Sequence, residues 1–248
     1  MRNIKLTIQY DGARYKGWQR LKDPDKTIQG KLEQVISKMT ETETEVIGSG
    51  RTDAGVHAFR QTANFKTDDL RSLEDIKEYL NLYLPSDIAV TNVAEVPERF
   101  HSRHNVISKT YLYRIWNLSH PEPFLRKYSY HIPSPHLKVK AMRKAAEYLI
   151  GEHDFTSFRS SSAKNKTAVR TIKDIRFEKN DGMLEIFVEG DGFLYNMVRI
   201  IIGTLLEVGL GNINAEEIPS ILASCDRTKA GPTAPPHGLF LYDVKYPE

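Results

Sequence analysis

Between residues 48 and 57 the chain reads Gly48-Ser49-Gly50-Arg51-Thr52-Asp53-Ala54-Gly55-Val56-His57. One carboxylate, Asp53, stands two residues after an arginine and four before a histidine, in a backbone carrying three glycines. Glycine takes up angles that other residues avoid, so it suits a loop that turns tightly or lets a ligand come close. A guanidinium held beside a carboxylate favours its charged form at neutral pH. The segment reads as a presented anion, able to serve as a nucleophile or as a base.

Two further segments carry groups that could work with it. From Asn196 to Val208 apolar residues cover almost the whole circumference of a helical pattern, which predicts a helix buried on most sides. Its only cation is Arg199. A buried guanidinium without a partner is costly, so an anion is expected beside it, with Asp53, Glu189 and Asp191 as the candidates. The run Lys109-Thr110-Tyr111-Leu112-Tyr113-Arg114 alternates as a strand. That puts Tyr111 and Tyr113 on one face with Lys109 beside them. A tyrosine ring there can stack on a base and still offer its hydroxyl; two core tyrosines with satisfied hydroxyls are the structural alternative.

Charge distribution points to a polyanion. The net charge is only +3, but acids are absent from Arg99 to His120 and from Phe155 to Lys173. Those stretches carry Arg99, Arg103, Lys109, Arg114, Arg159, Lys164, Lys166, Arg170 and Lys173, interleaved with aromatics. Basic side chains beside flat rings suit a phosphate backbone with stackable bases. Other chemistries lack their motifs. There is no phosphate loop ending in Gly-Lys-Ser/Thr, no dinucleotide fingerprint and no zinc deaminase signature. His101 and His104 have no further ligands at metal spacing and there is no cysteine cluster, so no structural zinc is expected. Ser161-Ser162-Ala163-Lys164 matches a Ser-x-x-Lys pattern without its companion motifs. The single cysteine, Cys225, fits a reducing compartment, and no apolar run is long enough to span a bilayer. The expected location is the cytoplasm.

The elements that must position these groups follow from periodicity. Strands are predicted at Ile4–Tyr10, near Val46-Ile47, at Thr62–Phe65 and at Ile88–Val96. Helices are predicted at Thr27–Met39, with Thr27 as cap, and at Leu73–Leu82. The second half gives strands at Ser108–Trp116, Ile172–Glu178, Leu184–Val188 and Leu239–Tyr246. Its helices are Leu137–Leu149 and Asn196–Val208, and Asn180-Asp181-Gly182 marks a hairpin turn. The pattern is α+β: two ferredoxin-like halves, residues 1–105 and 106–248, with mostly antiparallel sheets and helices on one face. The other face would be open, a common RNA platform.

The loop from Gly50 to His57 is similar to the catalytic loop of the bacterial tRNA pseudouridine synthase A family. Several segments in the same order add to the resemblance: Tyr10-Asp11-Gly12, Gly17-Trp18-Gln19-Arg20, Leu84-Pro85-Ser86-Asp87-Ile88, Phe100-His101-Ser102-Arg103, Gly151 to Arg159, and Met197-Val198-Arg199. The resemblance implies an isomerase that turns uridine into pseudouridine in the anticodon stem-loop of tRNA, with a basic active-site cleft between the halves. It implies Asp53 as the essential carboxylate, Arg199 paired with it, Tyr111 at the substrate, and Arg51 assisting RNA placement or base extrusion. Arg159, Lys164, Lys166 and Lys109 would contact RNA. No cofactor or metal is implied, and the family works as a homodimer. A catalytically silent RNA-binding protein on the same fold is the alternative. A sugar-acting hydrolase would need a second catalytic acid across the bond, and none stands out.

Overall fold

The structure is a computed structural model that describes residues 1–133, 137–160 and 167–247. In chain order its main elements are β1 (Arg2–Tyr10), α1 (Ile28–Thr40), β2 (Ile47–Gly48), β3 (His57–Thr67), α2 (Leu73–Tyr83) and β4 (Ile88–Val96). There follow β5 (Ser108–Trp116), β6 (Tyr130–His131), α3 (Val139–Glu147), β7 (Gly151–Asp154), β8 (Val169–Asn180) and β9 (Met183–Gly190). The chain ends with α4 (Met197–Leu210), α5 (Ile218–Ser224) and β10 (Leu239–Lys245). The architecture is α+β with mostly antiparallel strand pairing. The backbone groups into two compact units: Met1–Ile107 together with the chain from Phe240 onward, and Ser108–Leu239.

In the first unit β1 pairs antiparallel with both β3 and β4. β2 adds antiparallel to β3, which gives the order β4-β1-β3-β2 of a split βαβ unit. β1 alternates because one face is core: Ile4, Leu6 and Ile8 are fully buried, as are Ile28, Leu32 and Ile36 of α1 and Ile76 and Leu80 of α2. Thr27 caps α1 by accepting the Gly30 N–H, and Ser72 and Asp75 form a capping box on α2. The pattern of the second half ends with the last strand. In the structure β10 lies parallel to β3, Phe240 opposite His57 and Leu241 opposite Ala58, so contacts group it with the first unit. β2 and β10 thus use different stretches of the same edge of β3, and residues 49–56 leave that edge between them.

In the second unit the sheet runs β5-β9-β8-β7, all antiparallel, with β6 parallel to β5. Asp181 and Gly182, both at positive φ (43° and 84°), turn β8 into β9. α4 is buried around nearly all of its surface and packs on α3. β5 is buried at every position except the half-buried Lys109 and Arg114, so this strand presents no open face.

Candidate active site

The loop that holds Asp53 is fixed at its start by two buried side chains. Ser49 N–H donates to Thr62 O (2.8 Å), Ser49 Oγ to Gln61 Oε1 (2.6 Å), and Gln61 Nε2 to Gly50 O (3.1 Å). Beside the aspartate, Thr52 O accepts Trp18 N–H (3.0 Å), and Thr52 Oγ1 lies 2.8 Å from the Tyr10 hydroxyl. Burial pushes the Tyr10 phenol above its usual range, so it stays protonated and able to donate. Val56 N–H closes a turn onto Asp53 O (3.1 Å), and Gly55 takes φ +77° at its third position, as a type II turn requires. The turn leads into His57, the first residue of β3, which is 1% exposed. Its Nδ1 lies 3.0 Å from both the Gly12 N–H and an Asp11 carboxylate oxygen, and its ring stacks on Phe240 at 4.8 Å. One contact serves the ring with Nδ1 bare, the other with Nδ1 protonated.

The bed under this turn is the segment from Asp11 to Trp18. A Cβ at Gly12 would sit 1.9 Å from Val56 O, and one at Gly17 would sit 2.5 Å from Thr52 O. Glycine is needed at both because two backbones touch. The segment is itself tied down: Tyr15 OH donates to Asp87 Oδ1 (2.7 Å), which also takes Arg14 Nη2 (3.1 Å). Burial and that carboxylate push the Tyr15 phenol up to about 12. Asp53 itself is half-buried at the first position of the turn. Arg51 is exposed, and its Nε donates to Gln19 Oε1 at 2.8 Å. A carboxylate with a rigid backbone and a partly open side chain can meet a ligand without reorganising.

In the second unit Arg199 lies in the first turn of α4 and is half-buried. Its Nε donates to Ala234 O (2.7 Å) and its Nη1 to Asn196 Oδ1 (2.9 Å), while Ala234 N–H returns a bond to Arg199 O (3.1 Å). The segment bearing Ala234 is also held by Tyr113, whose hydroxyl donates to Pro235 O at 2.9 Å. Of the other acids considered for Arg199, Glu189 Oε1 accepts from Ser108 Oγ (2.7 Å) and Asp191 Oδ1 from Thr171 N–H (3.0 Å). Tyr111 is 8% exposed, with Phe193 edge-on to its ring at 5.2 Å. Lys109 is half-buried two residues before it. Arg159 is half-buried at the end of a short helical turn over Thr156–Phe158. Lys164 and Lys166 lie outside the described residues, as does the Ser-x-x-Lys segment.

Sequence reasoning quoted Tyr10 to Gly12 and Gly17 to Arg20 without giving them a role. The structure makes them the mount of the Asp53 turn. Their signal was the glycine spacing, which only a backbone contact explains. Among the described residues no three His, Cys, Asp or Glu side chains form a group that could hold a metal, and no helix is long and apolar enough to cross a membrane.

Residues 6–105 and 145–247 match a family described as tRNA pseudouridine synthase. The chain is 53% identical over 246 residues to a protein of Bacillus cereus named tRNA pseudouridine synthase A 2, covering 99% of this chain and 100% of that one. It is 54% identical over the same length to the tRNA pseudouridine synthase A of a Bacillus species, strain KSM-64, with the same coverage. To that of a Thermoanaerobacter species it is 46% identical, again over 99% of this chain and 100% of the relative. A looser likeness joins 82% of this chain to 54% of one in a crystal structure of a Cbf5-Nop10-Gar1 complex, at TM-score 0.35 and 13% identity; it adds nothing to the fold assignment.

Proposed function

The chain belongs to the tRNA pseudouridine synthase family, isomerases that act on tRNA, and from that premise we propose that it modifies uridines of the anticodon stem-loop with Asp53 as the essential carboxylate. The reaction breaks the bond from uracil N1 to the sugar and joins the sugar to C5. The C5 proton leaves and N1 gains one, so nothing is oxidised and no atom is gained or lost. A base inside a stack hides those atoms and must be turned out, at a cost of a few kcal/mol that is least at a stem end or in a loop. Asp53 then acts either as a nucleophile on the base or sugar or as a base toward a sugar proton. Arg199 is the guanidinium that supports it. Tyr111 stacks on the base, a contact worth roughly 1–3 kcal/mol. Arg51 aids placement or extrusion, and Lys109, Arg159, Lys164 and Lys166 meet the RNA backbone. The enzyme works in the cytoplasm as a homodimer, with no cofactor.

The observation behind this reading is the Asp53 turn itself: a half-buried carboxylate flanked by the buried Thr52 and His57, each bonded to a second segment of the same unit. Asp53→Asn keeps the shape and removes the charge. With tRNA tritiated at uracil C5, turnover is read as released tritium, because the new bond forms at that carbon. The variant should release none above background while its tRNA Kd stays within about tenfold, roughly 1.4 kcal/mol. Release at the parent rate would refute the role of Asp53.

A further inference from the structure

The far end of β5 from Tyr111 borders a cavity of about 340 Å³ inside the second unit, at the small end of the range of small-molecule sites. Trp116, Glu122, Arg126, Tyr130, His131 and His237 line it. Its flat walls are fixed by secondary structure. Trp116 pairs with His131 across β5 and β6, and its Nε1 donates to His120 O at 2.8 Å. His131 Nε2 is 2.9 Å from Leu118 O, and the Tyr130 ring meets His237 edge-on at 6.3 Å. Burial and the charge of Arg199 hold the His237 imidazole below its ordinary range, which makes it a neutral heteroaromatic ring near pH 7.

Two charged groups complete the lining. Glu122 Oε1 accepts the Phe124 N–H (3.2 Å), and Arg126 Nη1 donates to Pro123 O (2.7 Å). Neither is in an ion pair among the described residues. The cavity therefore offers aromatic faces, an acceptor-only carboxylate and a guanidinium, the set that recognises a base with its phosphate. Trp116 is five residues from Tyr111, and at about 3.3 Å per strand residue the two are roughly 16 Å apart. A base stacked on Trp116 is therefore not the base stacked on Tyr111.

We propose that this cavity binds a single nucleotide, its base against Trp116 and His237 and its phosphate toward Arg126, and that Glu122 selects a base with an exocyclic amino group. Uracil offers one donor, whereas guanine offers N1–H and N2–H side by side to a carboxylate. The nucleotide comes either from the tRNA beyond the target site or from the free pool. Only the first source rests on the functional reading above.

The test uses the whole protein and follows tryptophan fluorescence, which has two sources, Trp116 and the buried Trp18. GMP should quench it saturably and more tightly than UMP, and Trp116→Phe should abolish the quench. Glu122→Gln should erase the preference for GMP over UMP. Arg126→Gln should weaken GMP about tenfold and leave guanosine unchanged. Both residues sit on a surface segment, so these variants fold even if Trp116→Phe does not. No saturable quench by GMP, or parent-like binding in both surface variants, overturns the proposal. A raised KM for tRNA at constant kcat in Arg126→Gln assigns the nucleotide to tRNA; an unchanged KM with lost GMP binding assigns it to the free pool. The same titrations on Asp53→Asn separate the two readings, because turnover there would sink the catalytic role and leave the pocket standing.

Discussion

Gly12→Ala should damage catalysis by displacing the backbone of the Asp53 turn. The added Cβ would stand 1.9 Å from Val56 O, and real Cβ contacts essentially never fall below 3.0 Å. The backbone must open by about 1.1 Å at Val56, the residue that closes the Asp53 turn. Two costs follow. Forcing an extra methyl into a packed contact is worth about 1–3 kcal/mol, which in a chain of this size lowers Tm by roughly 2–12 °C. A displacement of about 1 Å in a positioned reactive group costs on the order of 100-fold in rate. His57 Nδ1 also loses its place opposite the Gly12 N–H. The assay is tritium release from tRNA under saturation, beside a thermal melt. Gly192→Ala is the control, because its nearest neighbour, Arg170 Nε, is at an ordinary 3.6 Å; it should melt within about 0.5 kcal/mol of the parent. If Gly12→Ala keeps both Tm and kcat, the two backbones do not touch as described, and the turn is not positioned by this segment.

Arg199→Lys should lower kcat at least 100-fold, because one ammonium cannot replace the fork that reaches both Ala234 O and Asn196 Oδ1; activity within threefold of the parent would refute the need for that geometry. Replacing Arg159, Lys164 and Lys166 together by glutamine should weaken tRNA binding and flatten its salt dependence by roughly two to three in log–log slope. An unchanged slope would place the RNA elsewhere. Stability should fall as pH drops below about 6.5. His237 and His101 are both held below their ordinary range, so the unfolded chain binds protons that the folded one resists. The contribution is intact above that pH and is lost as pH falls toward the folded values. His237→Gln should show a shallower loss in urea midpoint between pH 7.5 and 5.5, and an identical loss would assign the effect to other groups.

Elements with a clean period were legible: α1 with its Thr27 cap, β4 and β5 at the residues read from alternation, and the hairpin turn at Asp181-Gly182. Elements whose cause is distant were not. β3 begins at His57 rather than at Thr62; its first half, His57-Ala58-Phe59-Arg60-Gln61, buries the polar His57 and Gln61 and so lacks the apolar alternation that marks a strand. Asn64 is satisfied by partners distant in sequence: its Nδ2 donates to Asn3 Oδ1 at 2.9 Å, and its Oδ1 accepts Ser102 N–H at 2.9 Å. β7 has four residues and α5 seven, too short for a period to show. The parallel partner of β10 leaves no local trace at all.

The site divides along the same line. Residue types nominate Asp53, because a carboxylate among glycines is a chemical statement. What holds it could not be read from them, because the bonds from Tyr10 to Thr52 and from Gly12 to His57 join segments more than forty residues apart. A carbonyl and an amide oxygen meet part of the hydrogen bonding of Arg199, which residue types do not reveal, and their positions fix the plane of the guanidinium. Neutral anchors aim a guanidinium without themselves adding charge. Ala234 O and Asn196 Oδ1 therefore set where the guanidinium points, and Tyr113 steadies the first of them by donating to the neighbouring Pro235 O.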